Sequence, residues 1–225
     1  MTHDEVTTLF HEFGHTLHHI LTAQTEPQVS GINGVEWDAV ELPSQFLENF
    51  AWEHEIVKSI STHVETGEEL PDELFDKMIA AKNYEAGAFC VRQVEFALFD
   101  MLLHSAFNPK TDSVQALLES VRREVAVVFP PAWNRFPQSF SHIFAGGYGA
   151  GYYSYKWAEV LSADCFSAFE EEGVLNPDTG RRYLKEILER GSSRDAIDNF
   201  VAFRGRKPEL DPLLRLSGII ESQKH

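Results

Sequence analysis

Apolar residues recur every three to four positions along most of the chain, and this period predicts a structure built almost entirely from α-helices. The first helix is introduced by Thr2, which with Glu5 three residues later has the spacing of a capping box. Its apolar residues keep the helical period: Val6, Leu9, Phe10, Phe13, Leu17, Ile20 and Leu21. Further helices are predicted over 44–59, 71–82, 84–106, 113–128, 156–172, 179–190, 194–203 and 209–219.

Two segments interrupt this period and are predicted to be loops. Residues 25–35 contain Pro27, Gly31 and Gly34, and residues 129–155 are rich in aromatic residues, proline and glycine. There is no internal repeat, low-complexity tract or linker. The pattern therefore predicts a mainly α fold with few or no strands, and one domain over residues 1–225.

The composition limits the kinds of molecule that the chain is expected to bind. The chain is 43% apolar and 24% charged, as in ordinary soluble proteins, and its formal charge is −16. Such an acidic chain is not expected to bind nucleic acid or an acidic membrane surface. No apolar run is long enough to cross a bilayer, and Cys90 and Cys165 form no paired motif. We therefore expect a cytoplasmic protein without disulfides.

The predicted first helix contains the motif His11-Glu12-Phe13-Gly14-His15. His11 and His15 are one helical turn apart, so both imidazoles are expected on the same face. With Glu41 they make three ligands for one zinc ion and leave a fourth position for water. Glu12, beside the first ligand, can accept a proton from that water. The pattern indicates metal-assisted hydrolysis of a peptide bond.

Other ligand sets fit less well. A third histidine ten residues after His11 would suit a different zinc motif, but that position is Leu21. Glu12 and His15 also form a Glu-x-x-His pair, yet a di-iron bundle needs a second pair, and no other histidine follows a glutamate at this spacing. His18 and His19 are interpreted as packing or orienting residues. Either Asp38 or Glu48 could orient a ligand imidazole, and helix capping explains Asp38 equally well.

A second group of residues begins at His142 and continues through residues 146–155, which we call the tyrosine loop. This loop contains Tyr148, Tyr152 and Tyr155 among several glycines. Composition alone favours an aromatic turn packed on the core. The chemistry offers an alternative, because tyrosine hydroxyls or an imidazole can donate hydrogen bonds to the oxyanion formed in peptide hydrolysis. Glycines would also allow the loop to close over a peptide.

Together these segments resemble the M3 family of zinc oligopeptidases, also known as the thimet oligopeptidase family. The resemblance covers essentially the whole chain and rests on HEFGH (11–15), WDAVELPSQFLEN (37–49), HIFAGGY (142–148), YYSY (152–155) and FRGRKP (203–208).

The resemblance implies a multi-helix, zincin-type catalytic domain that cuts short peptides. It implies zinc binding by His11, His15 and Glu41, with Glu12 activating water. It implies substrate contact or stabilisation of the tetrahedral intermediate by His142, Tyr148 and Tyr155, and peptide positioning by Tyr152.

M3 enzymes are much longer than this chain, so we expect a C-terminal catalytic portion, with the N-terminal half of the parent enzyme as a docking partner. Three functions remain open. The first is a zinc metallo-endopeptidase, and the second is a zinc-stabilised, catalytically deficient fragment that binds peptides. The third, a metallo-aminopeptidase, predicts that blocking the N-terminus of a peptide stops its cleavage.

Overall fold

The computed structural model describes residues 1–221, which fold as two compact units. Among the described residues, the first unit combines Met1–Tyr84 with residues 157–221, and the second is Glu85–Lys156. Whether the chain acts as a single catalytic domain stays a prediction.

Helices account for all the regular structure in the described part of the chain, which confirms the mainly α prediction. In chain order they are α1 (His3–Ile20), α2 (Leu42–Phe50), α3 (His54–Ile60), α4 (Asp72–Lys82), α5 (Ala86–Ser105), α6 (Val114–Val125), α7 (Ser141–Phe144), α8 (Ser154–Glu172), α9 (Pro177–Glu186), α10 (Ala196–Arg204) and α11 (Asp211–Leu216). Short 3-10 helices occupy Phe136–Ser139 and Leu188–Arg190. The only extended pairing within residues 1–221 is an isolated bridge between Thr62 and Glu69.

Helix α1 begins with the predicted capping box. The Thr2 hydroxyl accepts the Glu5 backbone N–H at 3.3 Å, and the Glu5 carboxylate accepts the Thr2 N–H at 2.7 Å. Further along, Gly14 lies directly against α2, because a Cβ atom built there would be 2.5 Å from Ser44 Cα. The absence of a side chain at Gly14 therefore allows the two helices that carry the predicted ligands to approach closely.

The predicted helix over residues 44–59 is divided in the structure. Helix α2 ends at Phe50, and the N–H groups of Ala51, Trp52 and Glu53 each bond the carbonyl three residues earlier. Glu53 then adopts an extended conformation before α3 begins. Because this tight turn barely disturbs the spacing of the apolar residues, the hydrophobic pattern does not reveal it.

Each unit has its own apolar core. In the first unit, Phe46 of α2 stacks on Tyr183 with ring centroids 4.0 Å apart. Aromatic residues dominate this core: Phe46, Phe166, Phe169, Tyr183, Phe200 and Phe203. The core of the second unit contains Phe99, Leu118, Val121, Phe140, Ile143 and Tyr152.

No helix in residues 1–221 combines the length and the apolar character needed to span a membrane.

Candidate metal centre and tyrosine cluster

The three predicted metal ligands converge in the first unit. Helix α1 presents His11 and His15, whose ring centroids are 4.9 Å apart. Glu41 immediately precedes α2 and is only 4% exposed. Its Oε2 atom lies 3.3 Å from His11 Nε2 and 3.1 Å from His15 Nε2. All three ligand atoms lie within 4.8 Å of one another, so a single ion could contact all of them.

The buried Glu41 carboxylate is fixed from within its own helix. Ser44 lies one turn later, and its hydroxyl donates to Glu41 Oε2 at 3.0 Å. The same hydroxyl lies 3.0 Å from the Glu41 carbonyl oxygen. A buried carboxylate needs such partners, because desolvation of the charge is otherwise unfavourable. Ser44 thus keeps one Glu41 oxygen in place beside the two imidazoles.

Glu48 holds the opposite side of the first imidazole. It lies seven residues after Glu41, which is two helical turns, so both carboxylates share a face of α2. Glu48 Oε1 is 2.6 Å from His11 Nδ1. This contact leaves His11 Nε2 directed towards Glu41, which is the arrangement that orients histidine ligands in metal sites. Glu48, one of the two carboxylates considered for an orienting role, makes this contact.

The electrostatics of this group suit a cation. Burial by itself lowers the pKa of His11, but its hydrogen bonds to Glu41 and Glu48 outweigh that effect and raise the pKa to about 10. Two imidazole nitrogens and one carboxylate oxygen are the donor set that zinc prefers in catalytic sites. Within residues 1–221, no other three histidine, cysteine or acidic side chains converge in this way. The residues therefore fit the predicted zinc ion.

The remaining polar residues of α1 differ in environment. Glu12 is exposed next to His11, and its carbonyl accepts the Thr16 hydroxyl at 2.9 Å. His18 is only 3% exposed. Burial, followed by the charges of His15 and His19, lowers the pKa of His18 to about 4. His18 is therefore a neutral, packed side chain, in agreement with its interpretation from sequence.

The second unit brings the other predicted site residues together. The Tyr148 and Tyr155 rings stack with centroids 4.7 Å apart, and His142 meets Tyr155 edge-on at 6.2 Å. Tyr152 lies 5.8 Å from the His142 ring. We call these four residues the tyrosine cluster. Their roles with substrate stay predictions.

Tyr152 is the most enclosed member of the tyrosine cluster. It is 9% exposed, and its hydroxyl donates to Gln93 Oε1 at 2.9 Å. Burial, together with the nearby Tyr155, raises its pKa above the ordinary value for tyrosine. In this arrangement Tyr152 supports the cluster by packing and by its bond to Gln93, while Tyr148 and Tyr155 are only partly buried.

Sequence reasoning missed the residue that holds the backbone of the tyrosine loop. Asp100 of α5 is 1% exposed and accepts the backbone N–H groups of Ala150 and Tyr152, each at 2.9 Å. Asp100 belongs to no recognisable motif and lies about fifty positions before its partners. A charged residue among Phe99, Met101 and Leu102 was the only available signal.

The fold and this geometry define a helical protein with an HExxH-type candidate metal centre. The model of peptidase family M3 matches residues 1–219, and the chain belongs to that family. The resemblance seen in the sequence motifs is thereby confirmed.

Several relatives are similar over nearly the whole chain. It is 59% identical over 219 residues to "Oligopeptidase A" of Salmonella typhimurium, covering 97% of this chain and 32% of that protein. The same identity and coverage hold for "Oligopeptidase A" of Escherichia coli. Identity to "Saccharolysin" of Saccharomyces cerevisiae is 34% over 220 residues, covering 97% of this chain and 31% of the relative. The chain thus spans about a third of the length of the relatives it matches.

Proposed function

We propose that this chain carries the metal centre of a zinc metallo-endopeptidase that hydrolyses short peptides. The observation that carries this proposal is the convergence of His11, His15 and Glu41, whose ligand atoms lie within 4.8 Å of one another. Membership of peptidase family M3 and similarity to proteins named as oligopeptidases support it.

The three proposed ligands come from two helices. His11 and His15 donate their Nε2 atoms from α1, and Glu41 donates a carboxylate oxygen from the start of α2. Glu48 orients the His11 ring through its 2.6 Å contact with Nδ1. When bound in such a site, zinc lowers the pKa of water and polarises a carbonyl oxygen.

Protein groups carry the proton transfers in this proposal. Glu12 accepts a proton as water attacks the scissile carbonyl carbon, and it returns that proton to the amine as the C–N bond breaks. Tyr148, Tyr155 or His142 donates a hydrogen bond to the oxygen that gains negative charge. Tyr152 helps to position the peptide.

The alternative is a zinc-stabilised chain that binds peptides with little turnover. It draws on the same candidate ligands, His11, His15 and Glu41. This alternative predicts zinc binding and weak peptide binding with little hydrolysis.

Glu12→Gln tests the endopeptidase proposal. Cleavage of a short peptide with both termini blocked is measured with a fluorescence assay. Bound zinc is measured by elemental analysis. We expect the parent to bind one zinc per chain and cleave the peptide. The variant should keep its zinc and lose at least about 100-fold in turnover, because its amide cannot act as a base. Asp4→Asn, an exposed carboxylate on the same helix, is the matched control and should cleave at the parent rate.

The outcomes separate the functions. Parent-level cleavage by Glu12→Gln would show that Glu12 is not the base. Zinc binding without cleavage by the parent would favour the peptide-binding alternative. Cleavage confined to peptides with a free N-terminus would indicate an aminopeptidase.

A further inference from the structure

Two backbone N–H groups of the tyrosine loop bond to one buried carboxylate of α5. Asp100 is 1% exposed, and its two oxygens accept different N–H groups of the loop. Oδ1 accepts the Ala150 N–H and Oδ2 accepts the Tyr152 N–H, both at 2.9 Å. A buried negative charge strengthens such bonds, because charge-assisted hydrogen bonds are stronger than neutral ones.

The loop contains a strained backbone position at one of the residues that Asp100 bonds. Ala150 has a φ of +58°, in the left-handed region that residues with a side chain rarely adopt. Strained positions of this kind persist where surrounding contacts hold them. The neighbouring Gly149 lies against His104, since a Cβ atom there would be 3.2 Å from His104 Nε2. His104 Nδ1 is in turn 2.8 Å from Asp100 Oδ1. Asp100 and His104, one turn apart on α5, thus both lie against the loop.

Backbone hydrogen bonds connect the loop residues that Asp100 holds to the tyrosine cluster. The Tyr148 N–H donates to the His142 carbonyl at 3.0 Å, and the Tyr148 carbonyl accepts the Gly151 N–H at 2.8 Å. Gly151 lies between the two residues whose N–H groups Asp100 holds. The Tyr148 ring then stacks on Tyr155 at 4.7 Å. A displacement of residues 150–152 would therefore be transmitted to the hydroxyls of the cluster.

We propose that Asp100 is the positioning residue of the tyrosine loop, and that its bonds to the Ala150 and Tyr152 amides fix Tyr148 and Tyr155 for the hydrogen bonds they donate during peptide hydrolysis. The catalytic part of this statement rests on the proposed function. Asp100 itself touches neither metal ligand nor substrate in this scheme.

Asp100→Asn tests the attachment directly. The amide is nearly isosteric, but it loses the charge and turns one acceptor into a donor that faces an N–H group. We expect hydrogen exchange at the Ala150 and Tyr152 amides, followed by NMR, to accelerate about tenfold or more, because bonds to charged groups are among the stronger ones. The matched control is Glu95→Gln. Glu95 is an equally buried carboxylate of α5, and it contacts Arg92 and Arg122 rather than the loop.

Kinetics tests what the attachment does. In Asp100→Asn we expect kcat to fall on the order of 100-fold, since small displacements of catalytic groups have effects of this size. KM should stay at the value of the Glu95→Gln control, because the affected hydrogen bonds form in the transition state. Unchanged exchange at both amides would overturn the attachment. Faster exchange with the kcat of the control would overturn the positioning role. A parent chain that binds zinc but cleaves nothing would refute the proposed function and the catalytic part of this inference, while the exchange data would still decide the attachment.

Discussion

At the scale of single residues, one buried carboxylate lies in the candidate metal centre and another holds the tyrosine loop. Glu41 and Asp100 are 4% and 1% exposed, and each accepts hydrogen bonds, Glu41 at Oε2 and Asp100 at both carboxylate oxygens. An ionised carboxylate is strongly destabilising in a protein interior unless such donors surround it. The hydrogen bonds that stabilise the carboxylate also hold its donors in place. Each buried charge therefore fixes the position of its neighbours.

Glu48→Gln should weaken zinc binding without removing a ligand. Glutamine can still accept a hydrogen bond from His11 Nδ1, but it lacks the charge that makes the imidazole a better donor to the metal. Loss of such orienting carboxylates typically reduces metal affinity by about 10- to 100-fold. Competition with a fluorescent chelator would measure the change. Glu55→Gln, an exposed carboxylate of α3, should bind zinc like the parent. Equal affinities for Glu48→Gln and the parent would refute the orienting role.

His18 should make the protein less stable in acid. Its pKa is about 4 in the folded chain against 6.5 as the ordinary value, so the unfolded chain binds the proton more readily. Stability contributed by neutral His18 is therefore lost as pH falls from about 6.5 towards about 4. Over this range the loss is on the order of 3 kcal/mol.

His18→Leu should remove this pH dependence. Within the described residues His18 Nδ1 has no hydrogen-bond partner, so leucine leaves no orphaned acceptor behind. Urea unfolding of both proteins in metal-free buffer at several pH values would measure the difference. The advantage of the variant should grow on acidification between pH 6.5 and 4. A constant difference across this range would contradict the prediction.

Single residues also show what the sequence can and cannot predict. His11, His15 and Glu12 were predicted from their spacing on one helix, which determines how their side chains are arranged. Glu41 required a longer inference, and in the structure its Oε2 atom lies beside both imidazoles. Asp100 could not be found, because its partners are backbone N–H groups of a loop whose path depends on tertiary packing.

At the scale of helices, the site depends on how closely α1 and α2 approach each other. Hydrophobic periodicity predicted most helices well, since each buries one face along a long segment. It missed the break after Phe50, and it missed the short helices Phe136–Ser139 and Ser141–Phe144. Segments of about one turn contain too few residues to establish a period. The pattern also gave no measure of the distance between helices.

Gly14→Ala should separate α1 from α2. The added methyl group would lie 2.5 Å from Ser44 Cα and 2.6 Å from the Pro43 carbonyl oxygen, and backbone atoms cannot move aside as a flexible side chain can. Overpacking of this kind typically lowers the free energy of unfolding by about 1–3 kcal/mol. Zinc affinity should fall as well, because the two helices carry the ligands. Urea unfolding and chelator competition would measure both effects.

Gly180→Ala is the matched control for that substitution. Gly180 lies within α9, and a Cβ atom there meets nothing within 4 Å. Alanine should stabilise the helix by up to about 1 kcal/mol through its higher helix propensity. If Gly14→Ala were as stable as this control and bound zinc equally well, close helix approach would not be required for the metal centre.

At the scale of the whole molecule, the two groups of predicted site residues belong to separate compact units. The metal ligands lie in the first unit and the tyrosine cluster in the second, and each unit has its own apolar core. Their assignment to separate units was not predicted from sequence. Both stretches of the first unit are helical, and nothing in the period of apolar residues records which distant segments share a core.

This division predicts that zinc stabilises the two units unequally. A ligand that binds only the folded form slows exchange through unfolding in proportion to its excess over the dissociation constant, about 100-fold at a hundredfold excess. Because His11, His15 and Glu41 all lie in the first unit, amides of α1 and α2 should gain this protection. Those of α5 and α6 should exchange at the same rate with and without zinc. Hydrogen exchange followed by mass spectrometry, with calcium in place of zinc as the control, would measure both. Equal protection of α5 and α6 would instead show that the two units unfold together, so that zinc binding in one stabilises the tyrosine cluster in the other.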